Sequence, residues 1–544
     1  MKTRYWLLAT FLVITLGGCG GGGGGGGETT AADTTAPTAS VNLTATSLPR
    51  PDDTVVVVTF SESMDVASLA LGGGLGAESD GGTWSATGTP NDTLTIAPAT
   101  GWTSGADRVL TIDARDLAGN PLQTLTVAMD VAAGTWYYVD AAQPNNSGDG
   151  LSPATAKRSI MAAVSAATAP ASVLVAGGTY DVTYQTDHVI LAEGVSLFGG
   201  FSPDFTQRDR TTHPSVIHDL HDGAGTNYLN PARAVEAGAG ITTTTVFDGF
   251  TVLGADTAGA ASGETATAAY VYGGAEPTIS RNLLKGGSGE RSNGVAIYQS
   301  SPVITGNTIH SGTGTSFAFG IYAVSSSPLI VNNLVTAAGT GTGSYGISYS
   351  GGAVIRNNII NGGTGGTYSV GIDLGSPATD SAIENNIVFT TGGSTRLCLW
   401  EGNDTNPGAL RNNDLFDCPD AYYAAFAASS GTCPFYVGSD CYTDIADVND
   451  ASLITQGTAD SASGNVSVDP LFVDVDGVDD DPATVEDNLW YFRAVGTSPC
   501  TVTQGGLDGT VQSPAWGIFL DKDGNVRTAP WSIGAYEYDG DCVL

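Results

Sequence analysis

The chain has 544 residues, 75 of them glycine and 24 proline, with 41% hydrophobic and 14% charged. That is the composition of a turn-rich β protein; it excludes a disordered chain and long helices. Nineteen basic residues stand against 55 acidic ones for a formal charge of −36, and no basic cluster follows Arg4, which argues against nucleic acid as a partner and suits divalent cations.

Taken in chain order, Lys2 and Arg4 precede an apolar run from Trp6 to Leu16 and then Leu16-Gly17-Gly18-Cys19. The run is too short to span ~30 Å of hydrocarbon, so it reads as an export signal. A cysteine directly after two small residues resembles the bacterial lipobox. The resemblance implies that residues 1–18 are a lipoprotein signal peptide and that Cys19 carries lipid, which makes the membrane a partner. The unbroken run Gly20–Gly27 and the Thr/Ala-rich stretch to Thr35 have little to pack, so 19–35 is a flexible tether. Gly20 stands where lipoproteins retained in an inner membrane carry aspartate, which implies display at the outer membrane or cell surface.

Residues 36–132 read as a small β-sandwich, with strand-like runs such as Val55–Phe60, Leu94–Ile96 and Val109–Ile112 between Gly/Pro/Asp clusters. Val58-Thr59-Phe60-Ser61-Glu62-Ser63-Met64-Asp65, with Asp116-Leu117-Ala118-Gly119-Asn120-Pro121-Leu122, closely resembles the S-layer-type (SbsA-like) bacterial Ig-like domain. That resemblance implies a spacer or adhesive module that holds the body away from the membrane.

From residue 134 the chain changes character. Trp136–Asp140, Asn145-Asn146-Ser147-Gly148 and one helix over about Ser159–Ala167 precede Ser172–Val175 and Val195–Phe201. The order resembles the N-terminal cap and first coils of pectin-lyase-like proteins, in which such a helix shields an open sheet edge.

A repeat follows. Asn282, Asn307, Asn333, Asn358, Asn386 and Asn413 recur at steps of 25, 26, 25, 28 and 27, each opening an apolar run. A second landmark, Gly294-Val295-Ala296-Ile297, Gly320-Ile321-Tyr322-Ala323, Gly346-Ile347-Ser348-Tyr349 and Gly371-Ile372-Asp373-Leu374, keeps the same beat. Each period holds only short apolar runs and Gly or Ser-Pro corners, so the unit is a coil of strands. Stacked coils pair their backbones and place the asparagines in one column as a hydrogen-bonded ladder. The pattern resembles the right-handed, single-stranded parallel β-helix of the pectin-lyase fold, with the helix over 134–418. The beat is lost after Cys418, and 419–544 reads as a C-terminal disulfide-containing segment that closes it. Cys398, Cys418, Cys433, Cys441, Cys500 and Cys542 are even in number and contain no Cys-x-x-Cys, which favours disulfides over metal. Cys433 with Cys441 is the pair suggested by proximity; the other connectivity stays open.

Coil positions can be searched for chemistry. Two residues before the ladder stand Arg356, Glu384 and Arg411, either a solvated ion-pair ladder on an outward face or arginines gripping a sugar carboxylate. The other outward column, Ala296, Tyr322, Ser348 and Asp373, holds a single acid, whereas lyases and hydrolases of this architecture need several carboxylates. A Gly-His-Gly hydrolase signature is absent. Arg356, Glu384, Arg411 and Asp373 are nonetheless the catalytic candidates. His218-Asp219-Leu220-His221-Asp222 is a metal or acid–base set on one reading and a polar turn on the other. Asp474, Asp476, Asp479 and Asp481 could hold calcium, the one cofactor suggested, and Asp521-Lys522-Asp523-Gly524-Asn525 is a second such loop; neither completes an EF-hand. Tyr322, Phe317, Phe319, Tyr345 and Tyr368 recur near the landmark glycines and could bind sugar rings or cover a sheet corner. The reading is an all-β, monomeric envelope lipoprotein that binds an extracellular or envelope polysaccharide or mediates adhesion without catalysis. A polysaccharide lyase or glycoside hydrolase acting on acidic polysaccharide is the alternative, and a structural envelope component is the second.

Overall fold

The computed structural model describes residues 33–43, 48–183, 187–222, 226–227, 230–257, 263–376, 381–402, 406–426, 433, 439–455, 461–474, 489–492, 498–507, 520–527, 530–538 and 542. Cys19 and the tether to residue 32 lie outside them, as do Asp476, Asp479, Asp481 and the side chain of Asp474.

The first part of the chain makes two antiparallel sheets, one of four strands and one of three. Alternation along Val56–Phe60 turns Val56, Val58 and Phe60 inward and Thr59 out. These residues share a core with Leu94, Ile96, Trp102, Leu110, Ile112 and Met129. Asp116 earns its place through a turn, since its carboxylate accepts from Asn120 N at 2.8 Å and Asn120 Nδ2 at 2.7 Å around Gly119 at φ 92°. The small Gly73–Glu78 helix was not legible in the sequence.

The rest winds into a right-handed parallel β-helix. One sheet has eleven strands, running from Thr135–Val139 to Ala462–Ser463, and the other has eighteen, two from most coils. Parallel register stacks like on like. Ile279, Ile304, Ile330, Ile355, Ile383 and Leu410 fall in one inward column. Leu284, Ile309, Val335, Ile360, Val388 and Leu415 fall in a second. Val295, Ile321, Ile347, Ile372, Leu399 and Tyr423 form a third. All are buried, and each aliphatic side chain contributes about 1.5–3 kcal/mol by leaving water. At the N-terminal end the helix Ile160–Ala166 lays Ile160, Ala163 and Val164 on this core, its entry fixed by Asn146 Oδ1, which accepts from Arg158 N and Ser159 N.

The asparagine column is a ladder of a specific kind. From Asn307 through Asn413 each Oδ1 accepts the backbone N–H and the Nδ2 of the asparagine one coil earlier, at 2.9–3.1 Å. Each Nδ2 also reaches a carbonyl of the preceding coil, as Asn358 does to Ile330 O at 2.9 Å. The residue before each ladder asparagine turns the chain through the left-handed region: Arg281, Gly306, Asn332, Asn357, Asn385 and Asn412 have φ between 51° and 66°. Asparagine and glycine tolerate that geometry, which explains the doubled asparagines.

The loss of the beat after Cys418 is an insertion, not the end of the coils. Asn413 N and Nδ2 donate to Asn465 Oδ1 at 3.1 and 2.9 Å, so Gly464-Asn465 supplies the next rung. The intervening chain folds as the antiparallel pair Ala421–Phe426 and Ser439–Tyr442 and two short helices that bring Val448, Ala451 and Ile454 onto the core. The disulfides are Cys398–Cys418, Cys433–Cys441 and Cys500–Cys542. The C-terminal segment returns along the flank and bonds the turn asparagines: Asn385 Nδ2 donates to Leu507 O, Asn412 Nδ2 to Gly505 O and Asn332 Nδ2 to Leu520 O.

The small β domain does not stand clear of the coils. Arg281 of the helix donates to Asp130 at 2.6 and 2.9 Å, to Asp107 at 3.2 Å and to Asp248 at 2.8 and 2.9 Å, while Arg208 bonds Asp130 and Asp248. Burial alone would raise the fully buried Asp248 carboxyl, but Arg281 and Arg208 outweigh it and hold it far below the usual carboxylate range.

Candidate functional site

Where outward positions of successive coils stack on the eighteen-stranded sheet, aromatic side chains form a strip. Tyr270, Ala296, Tyr322, Ser348, Asp373 and Trp400 share one register column. Phe319 and Tyr345 lie in the next, Phe317 and Tyr368 at its rim. Ring contacts run without a break: Tyr270–Tyr298 at 5.6 Å, Tyr298–Tyr322 at 5.9 Å, Phe319–Tyr322 at 4.7 Å, Phe319–Tyr345 at 5.1 Å, Tyr345–Trp400 at 6.5 Å and Tyr368–Trp400 at 5.5 Å. Coils spaced by ~4.8 Å make the strip about 24 Å long. The five aromatic residues singled out from sequence thus come together. Phe317, Tyr322 and Tyr368 are half-buried, whereas Phe319 and Tyr345 are buried, stacked on each other in a cluster that includes Val370 and Leu397.

Sequence reading missed Arg291, Tyr270, Tyr298 and Trp400. The signal was present as parity, since Tyr298 lies two residues past Ala296 and Trp400 follows Asp373 in register. Arg291 lies over the rings of Tyr322, Phe319 and Phe317 at 4.9, 5.1 and 5.7 Å. At the N-terminal end of the strip Glu236 accepts from Tyr272 OH at 3.0 Å and pairs with His188 Nε2 at 2.9 Å and with Arg233. Burial raises its carboxyl, but the His188 and Arg233 contacts prevail and hold it at about 2.

Arg291, Phe317, Phe319, Tyr322, Tyr345, Ser348 and Asp373 border a shallow groove of about 300 Å³. Asp373 is the carboxylate among its lining residues. Ser348 Oγ donates to Asp373 Oδ2 at 2.7 Å, and Oδ1 has no hydrogen-bond partner among the described residues. Burial raises the Asp373 carboxyl to about 6 against the lowering effect of Ser348. A carboxyl that ionises less readily folded than unfolded lends stability that is complete below the ordinary range and lost as pH rises through about 6. Asp373→Asn should therefore flatten that part of the profile and melt higher than the parent at pH 8. Melting curves of both chains from pH 3.5 to 8 check it, and parallel curves would show that Asp373 titrates normally.

The remaining catalytic candidates stand elsewhere. Arg356, Glu384 and Arg411 are on the eleven-stranded sheet, and the expectation of a solvated column is corrected for its middle member: Glu384 is 0% exposed. Arg356 Nε at 2.6 Å and Arg411 Nε at 2.8 Å cover it from the coils on either side. Both guanidiniums are thereby engaged, so the triplet is an internal ion cluster. His218 faces Asp181 at 3.6 Å, while Asp219 is buried and accepts from His221 N at 2.9 Å, which closes a turn. In the Asp521 loop the carboxylate accepts from Asp523 N, Asn525 N and Glu537 N, which closes a turn. Asp33, Glu62 and Asp116 in the small domain do approach one another closely enough to share a cation.

Residues 242–433 match the family model described as right handed beta helix region. No curated protein matches the chain. Among solved structures, one titled "Crystal structure of pectate lyase Pel9A" is similar at 13% identity with a TM-score of 0.40, covering 74% of this chain and 96% of that one.

Proposed function

We propose that this protein is a lipid-anchored envelope protein that binds polysaccharide along the aromatic strip and does not cleave it. The observation that carries the reading is the strip itself, because contiguous apolar rings on a rigid outward face, interrupted by Ser348 and Asp373, suit the mixed C–H and hydroxyl surface of sugars. Catalysis is disfavoured by a groove whose described lining offers one carboxylate, where hydrolysis needs two and calcium-dependent elimination several. Anchoring rests on Leu16-Gly17-Gly18-Cys19 and the glycine run behind it, and the Ig-like reading of the small domain rests on its two packed sheets and the motifs at Phe60–Asp65 and Asp116–Leu122.

Binding to immobilised polysaccharides, measured beside release of reducing or unsaturated ends, tests the reading. Retention should fall about tenfold in Tyr322→Ala and in Trp400→Ala, on the scale of one lost ring contact of ~1 kcal/mol or more, with no product from the parent. Turnover by the parent would replace binding with enzymology. The anchor is checked separately: Cys19→Ser should move the protein from the membrane to the soluble fraction, and unchanged fractionation would remove it.

A further inference from the structure

Resting on that reading, we infer that Asp373 restricts the groove to uncharged, polyhydroxylated glycans and turns away polyuronates and sulfated chains. Asp373 borders one end of the groove, on the third coil from Arg291, and lies between Ser348 and Trp400 in its register column. Ser348 fixes one oxygen, and among the described residues neither a hydrogen-bond donor nor a cation meets the other. An ionised carboxylate only accepts hydrogen bonds, so whatever lies over Asp373 must bring donors. Sugar hydroxyls do so at every residue of a neutral chain. A polyanion would set its own negative groups within a few ångströms of Asp373, on a protein carrying −36 overall.

Arg291 is the one basic side chain bordering the groove among the described residues, and it does not reverse this. Its guanidinium sits against three rings at 4.9–5.7 Å, and its strand lies three coils from that of Asp373, about 14 Å along the axis. It braces the rings at the other end of the groove, where it occupies ring surface that sugars would otherwise use.

The test uses the mature chain and a panel of soluble neutral oligosaccharides (β-linked glucose, mannose and xylose oligomers) beside oligogalacturonate, oligoalginate and a sulfated galactan, titrated calorimetrically at pH 7.5. We expect binding within the neutral set, none to the acidic set, and a loss of tenfold or more in Asp373→Ala. Ser348→Ala, which removes only the orienting hydroxyl, should weaken binding less. Because Asp373→Asn and Asp373→Ala leave the ladder and the inward columns intact, melting curves will separate lost binding from lost folding. Binding confined to acidic glycans and abolished by Arg291→Gln would overturn the neutral assignment while leaving the binding reading intact. Neutral binding indifferent to Asp373→Ala would overturn the role of the carboxylate. No binding to either set would remove both the inference and the reading beneath it.

Discussion

Asn358→Ala should cost about 3–5 kcal/mol, because it strands several buried polar groups at once, each of which is worth ~1–3 kcal/mol when left unpaired. Asn358 Oδ1 accepts from Asn333 N at 2.9 Å and from Asn333 Nδ2 at 3.0 Å; its own Nδ2 donates to Ile330 O, Arg356 O and Asn386 Oδ1. None of these groups has water as a fallback, since Asn333, Asn358 and Asn386 are all 0% exposed. The neighbouring residue gives the control. Asn357 is equally buried, yet neither side-chain atom has a partner among the described residues, and its φ of 53° suits glycine. Asn357→Gly should stay within about 1 kcal/mol of the parent, as the relieved strain and unpaired amide offset the lost packing. Denaturant midpoints of the two variants measure the contrast. Equal midpoints would mean that coil register is held by the apolar columns alone.

The ladder was legible because one residue type at one beat has one economical explanation. Its rung beyond Asn413 was not: Asn465 follows Asn413 by 52 residues, and four strands and two helices intervene among the described residues, so counting failed where hydrogen bonding did not. The aromatic strip was half legible. Tyr322 and Asp373 share a parity that sequence can assign, but Arg291 becomes part of the site only when a folded coil brings it over Tyr322. Glu384 illustrates the converse. Its column position was correct and its exposure was not, because two arginines one coil away on either side fold over it. Burial of that kind depends on which side chains reach across coils, a property absent from alternation patterns. The Asp474 region lies outside the described side chains, so the calcium expectation stands as a proposal on sequence alone.

Arg281→Met carries the second large effect and concerns how the two parts of the chain hold together. Arg281 is the residue through which Asp107 and Asp130 of the small domain and Asp248 of the coils share one positive charge. Removing one partner of a buried ion pair typically costs ~3–5 kcal/mol, because the carboxylates remain without their cation. Arg208 still meets Asp130 and Asp248, which keeps the loss toward the lower figure for those two, whereas Asp107 loses its pairing to Arg281 outright. Asp248, held low by its arginines despite burial, makes the network acid-sensitive: its contribution is present above the ordinary carboxylate range and disappears as pH falls below it. Two readouts follow. Arg281→Met should lower the denaturation midpoint at pH 7 and expose the Ala132–Gly134 connection to limited proteolysis, and the deficit should shrink toward pH 3 as the abandoned carboxylates take up protons. A triple replacement of Arg281, Asp107 and Asp130 by apolar residues should recover much of the stability, since Asp248 keeps Arg208 as its partner. If Arg281→Met keeps the parental midpoint and proteolytic pattern, the small domain is tethered and not docked, and its place as a spacer projecting from the coils would be restored.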